Sequence, residues 1–409
     1  MPSNRQSELD GLRGLAALSV VFDHFGISSH LYHFPLGLLG VRLMFVLFGY
    51  FLVRQLARSA ESEQRGLELV NFYLKRLPRL GAVMLAAVGL GILLDLDGAR
   101  EGWPWHVAFG TNYLMERTGE WAGAYSHFWS LSVQVQLLLV APLGLVFLSA
   151  RDRRWCLAGL LAVGPLYRMI CLNDGADQMA RWFLLPASLD TFALGGLFAE
   201  FEISGGLQRF QRRGWLIGWI VAALAALTVS QMWRYGGEGN FTTAWVEFFE
   251  AVFLIGLLGV VRSGVMARWL APTLGCGAAA TLGSASYSLY AFHPLMRAVA
   301  SRFAAGLLNL HPLATAIGLL FPLSIVVALL VHRFIEAPAQ HASHWLVNHL
   351  PPCSVLVLAG ANSTSIQSRF CSGGGADCRV RFHSLASFSA AREGGFVAGK
   401  FATGTTGGG

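Results

Sequence analysis

Residues 313–331 read LATAIGLLFPLSIVVALLV, a run without a single ionisable side chain. A helix that crosses the hydrocarbon core of a bilayer needs about 20 mostly apolar residues, and this run supplies them. Similar runs recur along the chain as far as residue 333. The sequence therefore predicts an all-α integral membrane protein, a polytopic bundle of about ten transmembrane helices. The predicted spans are 11–29, 36–55, 78–96, 127–149, 156–172, 183–201, 214–232, 245–262, 280–304 and 313–333.

The composition excludes an ordinary soluble protein. Of 409 residues, 54% are hydrophobic and only 13% are charged, against roughly 25% charged residues in a soluble domain. The net charge of +7 could suit nucleic acid, but the basic residues lie at the ends of the predicted helices and form no patch interleaved with aromatic rings. We therefore expect membrane lipid, and no nucleic acid, as a partner.

The distribution of basic residues predicts the orientation of the chain. Lys and Arg accumulate in cytosolic loops, and here they concentrate in alternate loops, for example at Arg151, Arg153 and Arg154. The first ten residues are polar, and no signal-peptidase cleavage site follows the first apolar stretch. We therefore expect the first helix to be a retained membrane helix and not a cleaved signal peptide. Both termini are predicted to be cytosolic, in a multi-pass protein of the cell (inner) membrane.

The chain is predicted to contain one domain and a tail. Residues 1–345 form the predicted transmembrane domain, whereas residues 346–409 run into glycine-rich sequence with a Thr/Gly terminus. Such sequence is typical of a low-complexity, disordered tail. The six cysteines form no CxxC pair and no spacing that is typical of a zinc site, so we expect neither a metal site nor a disulfide framework.

Two ionisable residues of the first span are candidate functional residues, because a charge inside a membrane is costly. Arg13 and His24 are eleven residues apart, which returns to nearly the same face of a helix after a rise of roughly 16 Å. Asp10 is expected to cap this helix and to pair with Arg13. Both residues also have an interpretation without a functional role. Arg13 could extend its side chain to lipid phosphates at the membrane surface, and His24 could serve only in helix packing.

Two further polar stripes are predicted to face this helix. His127, Ser130 and Gln134 share one face of the fourth span, and Tyr290 and His293 lie in the ninth. The predicted topology brings both stripes to the level of the histidine of the first span, in the outer half of the membrane. A partly buried histidine is a natural general base. The alternative role of these polar groups is hydrogen bonding between helices.

A basic cluster precedes the predicted third span. Lys75, Arg76 and Arg79 could hold the phosphates of a soluble cofactor. They could equally contact lipid head groups or set the topology. The basic cluster is predicted at the cytosolic face of the membrane and the polar stripes in its outer half. This arrangement suggests a donor substrate on the cytosolic side and an acceptor substrate on the opposite side.

Six segments of the chain carry a resemblance to a known family. They are LDGLRG (9–14) with an R-x10-H spacing to His24, GVRLMFVLFGY (40–50), FYLKRLPR (72–79), FWSLSV (128–133), SYSLYAFHP (286–294) and RFIEAP (333–338). In this order they resemble the membrane-bound acyltransferase family 3, which includes bacterial O-acyltransferases of surface polysaccharides. The likeness covers roughly residues 5–340.

The resemblance implies a reaction and a set of site residues. Acyl-CoA is the usual donor of the family, so the implied reaction moves an acyl group, acetyl from acetyl-CoA, to a hydroxyl of an extracytoplasmic sugar or glycoconjugate, without a bound cofactor. The essential R-x10-H pair maps onto Arg13 and His24, with His24 as general base or transient acyl carrier. The R-x-x-R motif maps onto Arg76 and Arg79, beside Lys75.

Two positions depart from the family pattern. Gln134 stands where the family commonly has a glutamate, and an amide cannot ionise; Phe48 stands where a serine is usual. One alternative function is a transporter or flippase that uses the same polar residues as a pathway, although no internal repeat is visible. The other is a non-catalytic member of the family, which Gln134 would suit.

Overall fold

The computed structural model describes residues 4–27, 36–212, 215–237, 239–264, 270, 272–303, 306 and 311–349. The described residues form helices and no strand, with short 3₁₀ turns at Gly123–Tyr125 and Leu185–Ser188. The helices are α1 (Asn4–His24), α2 (Leu36–Ser59), α3 (Arg65–Leu93), α4 (Ala99–Val107), α5 (Thr111–Thr118), α6 (Phe128–Leu145), α7 (Ala150–Asn173), α8 (Gln178–Phe183), α9 (Leu189–Ile203), α10 (Gly206–Arg212), α11 (Leu216–Gly236), α12 (Asn240–Ser263), α13 (Gly277–Ser284), α14 (Ser286–Phe303) and α15 (Pro312–His349).

Seven helices within the described ranges are long and apolar enough to cross a membrane, namely α2, α3, α6, α7, α11, α12 and α15. This confirms the predicted all-α polytopic membrane protein. Helices α1, α9 and α14 occupy the three remaining predicted spans, but α9 has only 15 residues, α1 carries five charged side chains, and α14 carries two arginines among many polar residues. The number of ten spans and the cytosolic position of the termini therefore stay predictions.

The predicted start of the third span is wrong. Helix α3 begins at Arg65, thirteen residues before the predicted position 78, and runs through Pro78. Proline lacks the N–H that would bond to the carbonyl of Leu74, but one missing bond does not end a helix that neighbours support on both sides. The basic cluster therefore lies within a helix and does not precede it.

Other boundaries also differ from the prediction: α1 begins at Asn4 and not at 11, α7 at Ala150 and not at 156, and α9 at Leu189 and not at 183. The ninth span is not continuous from residue 280, because α13 ends at Ser284 and α14 begins at Ser286. The last span does not end at 333: α15 continues to His349 through π-helical turns at Ala316–Leu320 and His332–Glu336. The described residues up to His349 belong to one compact unit, and the predicted tail lies outside the described residues from position 350.

Glycines set the closest helix crossings. A Cβ atom on Gly49 of α2 would lie 2.1 Å from the carbonyl oxygen of Phe192, and one on Gly195 of α9 would lie 2.0 Å from that of Val46. The backbones of α2 and α9 therefore touch, as at small-residue crossings in membrane proteins. Helix α1 approaches α2 in the same way, since a Cβ atom on Gly40 would lie 2.6 Å from the carbonyl oxygen of Ala16.

Candidate active site

A cavity of about 1200 Å³ lies among the helices. Ligand sites are typically roughly 300–1,000 Å³, so this one is large enough for an extended ligand. Seven of the side chains that line it are cationic and one is a carboxylate: Arg13, Arg54, Arg58, Lys75, Arg76, Arg79, Arg262 and Asp10. Glu202 and Glu336 pair with three of these cations from outside the lining, yet cations still outnumber carboxylates, and this excess favours a ligand with several negative charges.

The cavity brings together the predicted residues of α1 and α3. An Nη atom of Arg13 lies 3.4 Å from Oδ1 of Asp10, as the sequence predicts. The expectation that Asp10 caps the helix is wrong, because α1 begins at Asn4 and Asp10 lies in its second turn. Arg76 donates a hydrogen bond of 2.5 Å to Oε1 of Gln55, and its guanidinium lies 4.2 Å from the centre of the Phe72 ring.

Glu336 anchors the second arginine of the R-x-x-R motif. Its carboxylate is fully buried and lies 3.3 Å from Nε of Arg79. It also accepts a hydrogen bond of 2.6 Å from Ser288 and one of 3.1 Å from His332. Glu336 ends the π-helical turn of α15, so this irregular turn supplies the carboxylate that holds Arg79 at the cavity wall.

Three further cationic residues of the lining, Arg54, Arg58 and Arg262, lie at the ends of predicted spans, where the sequence indicates only the orientation of the chain. Arg54 and Arg262 share the carboxylate of Glu202, which lies 2.7 Å from an Nη atom of Arg54 and 2.9 Å from Nε of Arg262. Tyr50 also donates a hydrogen bond of 2.5 Å to Glu202. The third residue, Arg58, lies one turn beyond Arg54 on α2. No sequence pattern identified Glu202 as their common partner.

Gln134 and Tyr290 also line the cavity. The side-chain nitrogen of Gln134 is buried and has no hydrogen-bond partner among the described residues. Ser130 donates to the carbonyl oxygen of His127 at 3.1 Å and lies 2.6 Å from the hydroxyl oxygen of Tyr290. Because a carbonyl only accepts, the Ser130 proton is committed, and Tyr290 must donate its own proton to Ser130.

Three histidines lie next to this hydroxyl pair. Nδ1 of His24 is 2.8 Å from Nε2 of His293, and the ring of His127 lies 5.2 Å from that of His293 and 5.6 Å from that of Tyr290. His24 is exposed, whereas the other two histidines are buried. We call His24, His127, Ser130, Tyr290 and His293 the histidine cluster. The structure thus brings the three predicted stripes together, while the roles of these residues stay predictions.

A second group of charged side chains, which we call the charge cluster, lies elsewhere in the bundle, with four of its members buried and two half-buried. It consists of Arg42, Arg168, Asp190, Arg234, Glu247 and Glu250. Arg168 lies 2.7 Å from Asp190 and 3.2 Å from Glu247, and Glu250 lies 2.5 Å from Arg42 and 2.6 Å from Arg234. Sequence reasoning assigned these residues no role, although five of them fall inside predicted spans, where an ionisable residue is a signal.

Comparison with known proteins identifies the family of the chain. A family of acyltransferase domains, the acyltransferase 3 family, matches residues 6–333 of the chain. The chain is also 29% identical over 315 residues to BcsY of Komagataeibacter xylinus, which is named as a candidate membrane-bound transacylase. This match covers 71% of the chain and 73% of BcsY, and no solved structure matches. The protein is thus a multi-pass membrane protein that belongs to the acyltransferase 3 family.

Proposed function

We propose that the protein transfers an acyl group, most simply acetyl, from cytosolic acyl-CoA to a hydroxyl of an extracytoplasmic sugar or glycoconjugate at the cell (inner) membrane. The observation that carries the proposal is the cavity with seven cationic side chains and one carboxylate in its lining. Coenzyme A carries a diphosphate and a further phosphate, and arginine is well suited to bind such groups. The R-x-x-R arginines and Lys75 would hold these phosphates.

The position of His24 supports a transfer reaction rather than binding alone. Arg13 lines the cavity, and His24 ends the same helix eleven residues later. A rise of roughly 16 Å separates the two residues. An extended pantetheine arm spans such a distance, so its thioester can approach the histidine cluster while the phosphates stay near the arginines.

His24 would act as the general base of the reaction. It takes the proton of the acceptor hydroxyl while the oxygen attacks the thioester carbonyl carbon. The C–S bond breaks, and the departing thiolate receives the proton, so that an ester and free coenzyme A are formed. A positioned base contributes about 10²- to 10⁴-fold to such a rate.

A donor assay tests the proposal without knowledge of the acceptor. We expect purified protein in nanodiscs to bind acetyl-CoA saturably and to hydrolyse it slowly, with water in place of the acceptor. The His24→Ala variant should bind the donor but lose at least about 100-fold in turnover, whereas Arg13→Ala should chiefly weaken binding. The matched control is His341→Ala, because His341 is exposed and does not line the cavity.

Two results would contradict the proposal. Folded wild-type protein that binds no acetyl-CoA would reject the donor. Hydrolysis that persists unchanged in His24→Ala would reject the proposed base.

A further inference from the structure

The contact between His24 and His293 has a definite direction. A hydrogen bond between two neutral imidazoles needs one nitrogen that carries a proton and one that carries a lone pair. Here the two atoms are Nδ1 of His24 and Nε2 of His293, 2.8 Å apart. The distance alone does not say which of them donates.

The other nitrogen of His293 decides the question. Nδ1 of His293 lies 3.1 Å from the backbone carbonyl oxygen of Leu289, one turn earlier in α14. A carbonyl oxygen can only accept, so Nδ1 of His293 carries the proton. His293 is fully buried and forms no ion pair with any described residue, and an unpaired charge there would be costly. We therefore take the ring as neutral, with a lone pair on Nε2.

This assignment fixes the protonation of His24. Because Nε2 of His293 must accept, Nδ1 of His24 must donate, and the lone pair of His24 lies on its Nε2 atom. No hydrogen bond joins this Nε2 atom to another described residue, so it is the nitrogen that can take a proton. Arg297, one turn beyond His293, donates a hydrogen bond to the backbone carbonyl of His24. Helix α14 thus holds both the ring and the backbone of His24.

We propose that His293 is a positioning residue that keeps His24 in the tautomer with Nδ1 protonated, so that Nε2 of His24 is the base. The inference rests on the proposed function and deepens it. When Nε2 takes the proton of the acceptor hydroxyl, the Nδ1 proton stays in its hydrogen bond to His293. The Nε2 proton then passes to the thiolate that leaves as the C–S bond breaks, and both histidines return to their first state.

Two substitutions separate this role from simple packing. His293→Leu fills the space but offers no acceptor, so His24 is free to rotate and to exchange tautomers. We expect the turnover number of His293→Leu for acetyl-CoA to fall by at least about 100-fold, because a histidine in the wrong tautomer cannot act as the base. The KM for acetyl-CoA should stay unchanged. His293→Gln keeps an oxygen that can accept from Nδ1 of His24, and should recover activity to within about tenfold of wild type.

A matched control comes from another buried histidine. His106 is fully buried, and its ring nitrogens lie 2.9 Å from Oγ1 of Thr111 and 3.1 Å from the carbonyl oxygen of Gly98. Because His106→Leu also removes a buried histidine, we expect it to lower the stability of the protein. It should nevertheless leave the turnover per folded molecule unchanged. Monodisperse elution in size-exclusion chromatography defines the folded fraction of every variant.

A spectroscopic measurement keeps the inference testable even if no turnover is found. In protein labelled with ¹⁵N-histidine, the signals lost in His24→Ala identify His24. We expect them to show a protonated Nδ1 and a bare Nε2 in wild type, and a mixture of tautomers in His293→Leu. A protonated Nε2 of His24 in wild type would overturn the inference. Full turnover in folded His293→Leu would also overturn it, as would a loss of turnover in His293→Gln as large as that in His293→Leu. Wild-type protein without turnover would instead reject the proposed function.

Discussion

The charge cluster and the histidine cluster are both polar groups among apolar helices, but they differ in how their members are satisfied. In the charge cluster three arginines face three carboxylates, and each arginine contacts at least one carboxylate. In the histidine cluster neither ring nitrogen of His127 makes a hydrogen bond of normal geometry to a described residue. In the charge cluster every charge has an opposite partner, so the loss of one member leaves a buried charge uncompensated, whereas the unpaired nitrogens of the histidine cluster remain free for chemistry.

The largest expected effect comes from breaking the charge cluster. Arg168→Met leaves Asp190 buried without its cation, and the loss of one partner of a buried ion pair costs about 3–5 kcal/mol. We expect a much lower yield of folded protein and a lower unfolding midpoint in detergent, with turnover per folded molecule retained. An unchanged midpoint would show that the cluster does not hold the helices together.

A smaller effect of opposite sign is expected in the histidine cluster. His127→Phe replaces a ring with two unpartnered nitrogens by an apolar ring of similar shape, and a buried unsatisfied polar atom costs about 1–3 kcal/mol. We therefore expect the free energy of unfolding to rise by about 1 kcal/mol, as measured by chemical denaturation in detergent. A decrease of similar size would mean that His127 makes a stabilising hydrogen bond.

The smallest effect is expected at an exposed ion pair. Arg100 donates a hydrogen bond of 2.8 Å to Asp95, between α3 and α4, and this bond and the nearby positive charge lower the pKa of the Asp95 carboxyl. The pair therefore contributes to stability at neutral pH, and the contribution is lost as the pH falls through the lowered pKa. Because water screens exposed pairs, we expect Arg100→Met to unfold like wild type at pH 7. A clear loss of stability in Arg100→Met would contradict the expected difference between this exposed ion pair and the buried pair of Arg168.

The sequence predicted the helices, and the side chains that meet beside the cavity, better than it predicted the helix boundaries and the partners of the charged residues. Apolar runs identified the spans because any membrane helix needs them, and helical periodicity placed Ser130 on the stripe that meets Tyr290. Periodicity gives the face of a helix but not the helix that it meets. The contact between Arg54, Arg262 and Glu202 depends on crossings set by glycines such as Gly49, which no local pattern specifies.

The irregular turns explain another part of what could not be predicted. Glu336 was recognised only as part of a motif, because a regular helical count does not reveal that a π-helical turn aims it at Arg79. The departure at Gln134 is clearer in the structure. Gln134 belongs to the cavity lining, and its buried amide nitrogen has no hydrogen-bond partner among the described residues, so the amide keeps a free donor that a glutamate carboxylate does not have.

The extent of the cavity has a consequence for the energised state of the membrane. Gln134 and Tyr290 belong to its lining, but the three histidines do not. A continuous water-filled path through the bundle would conduct protons and ions and would dissipate the gradients on which a cell depends. Under the proposed function, a cavity that reaches Tyr290 but none of the three histidines among the described residues would let an acyl group pass from one compartment to the other while the insulating barrier of the bilayer stays intact.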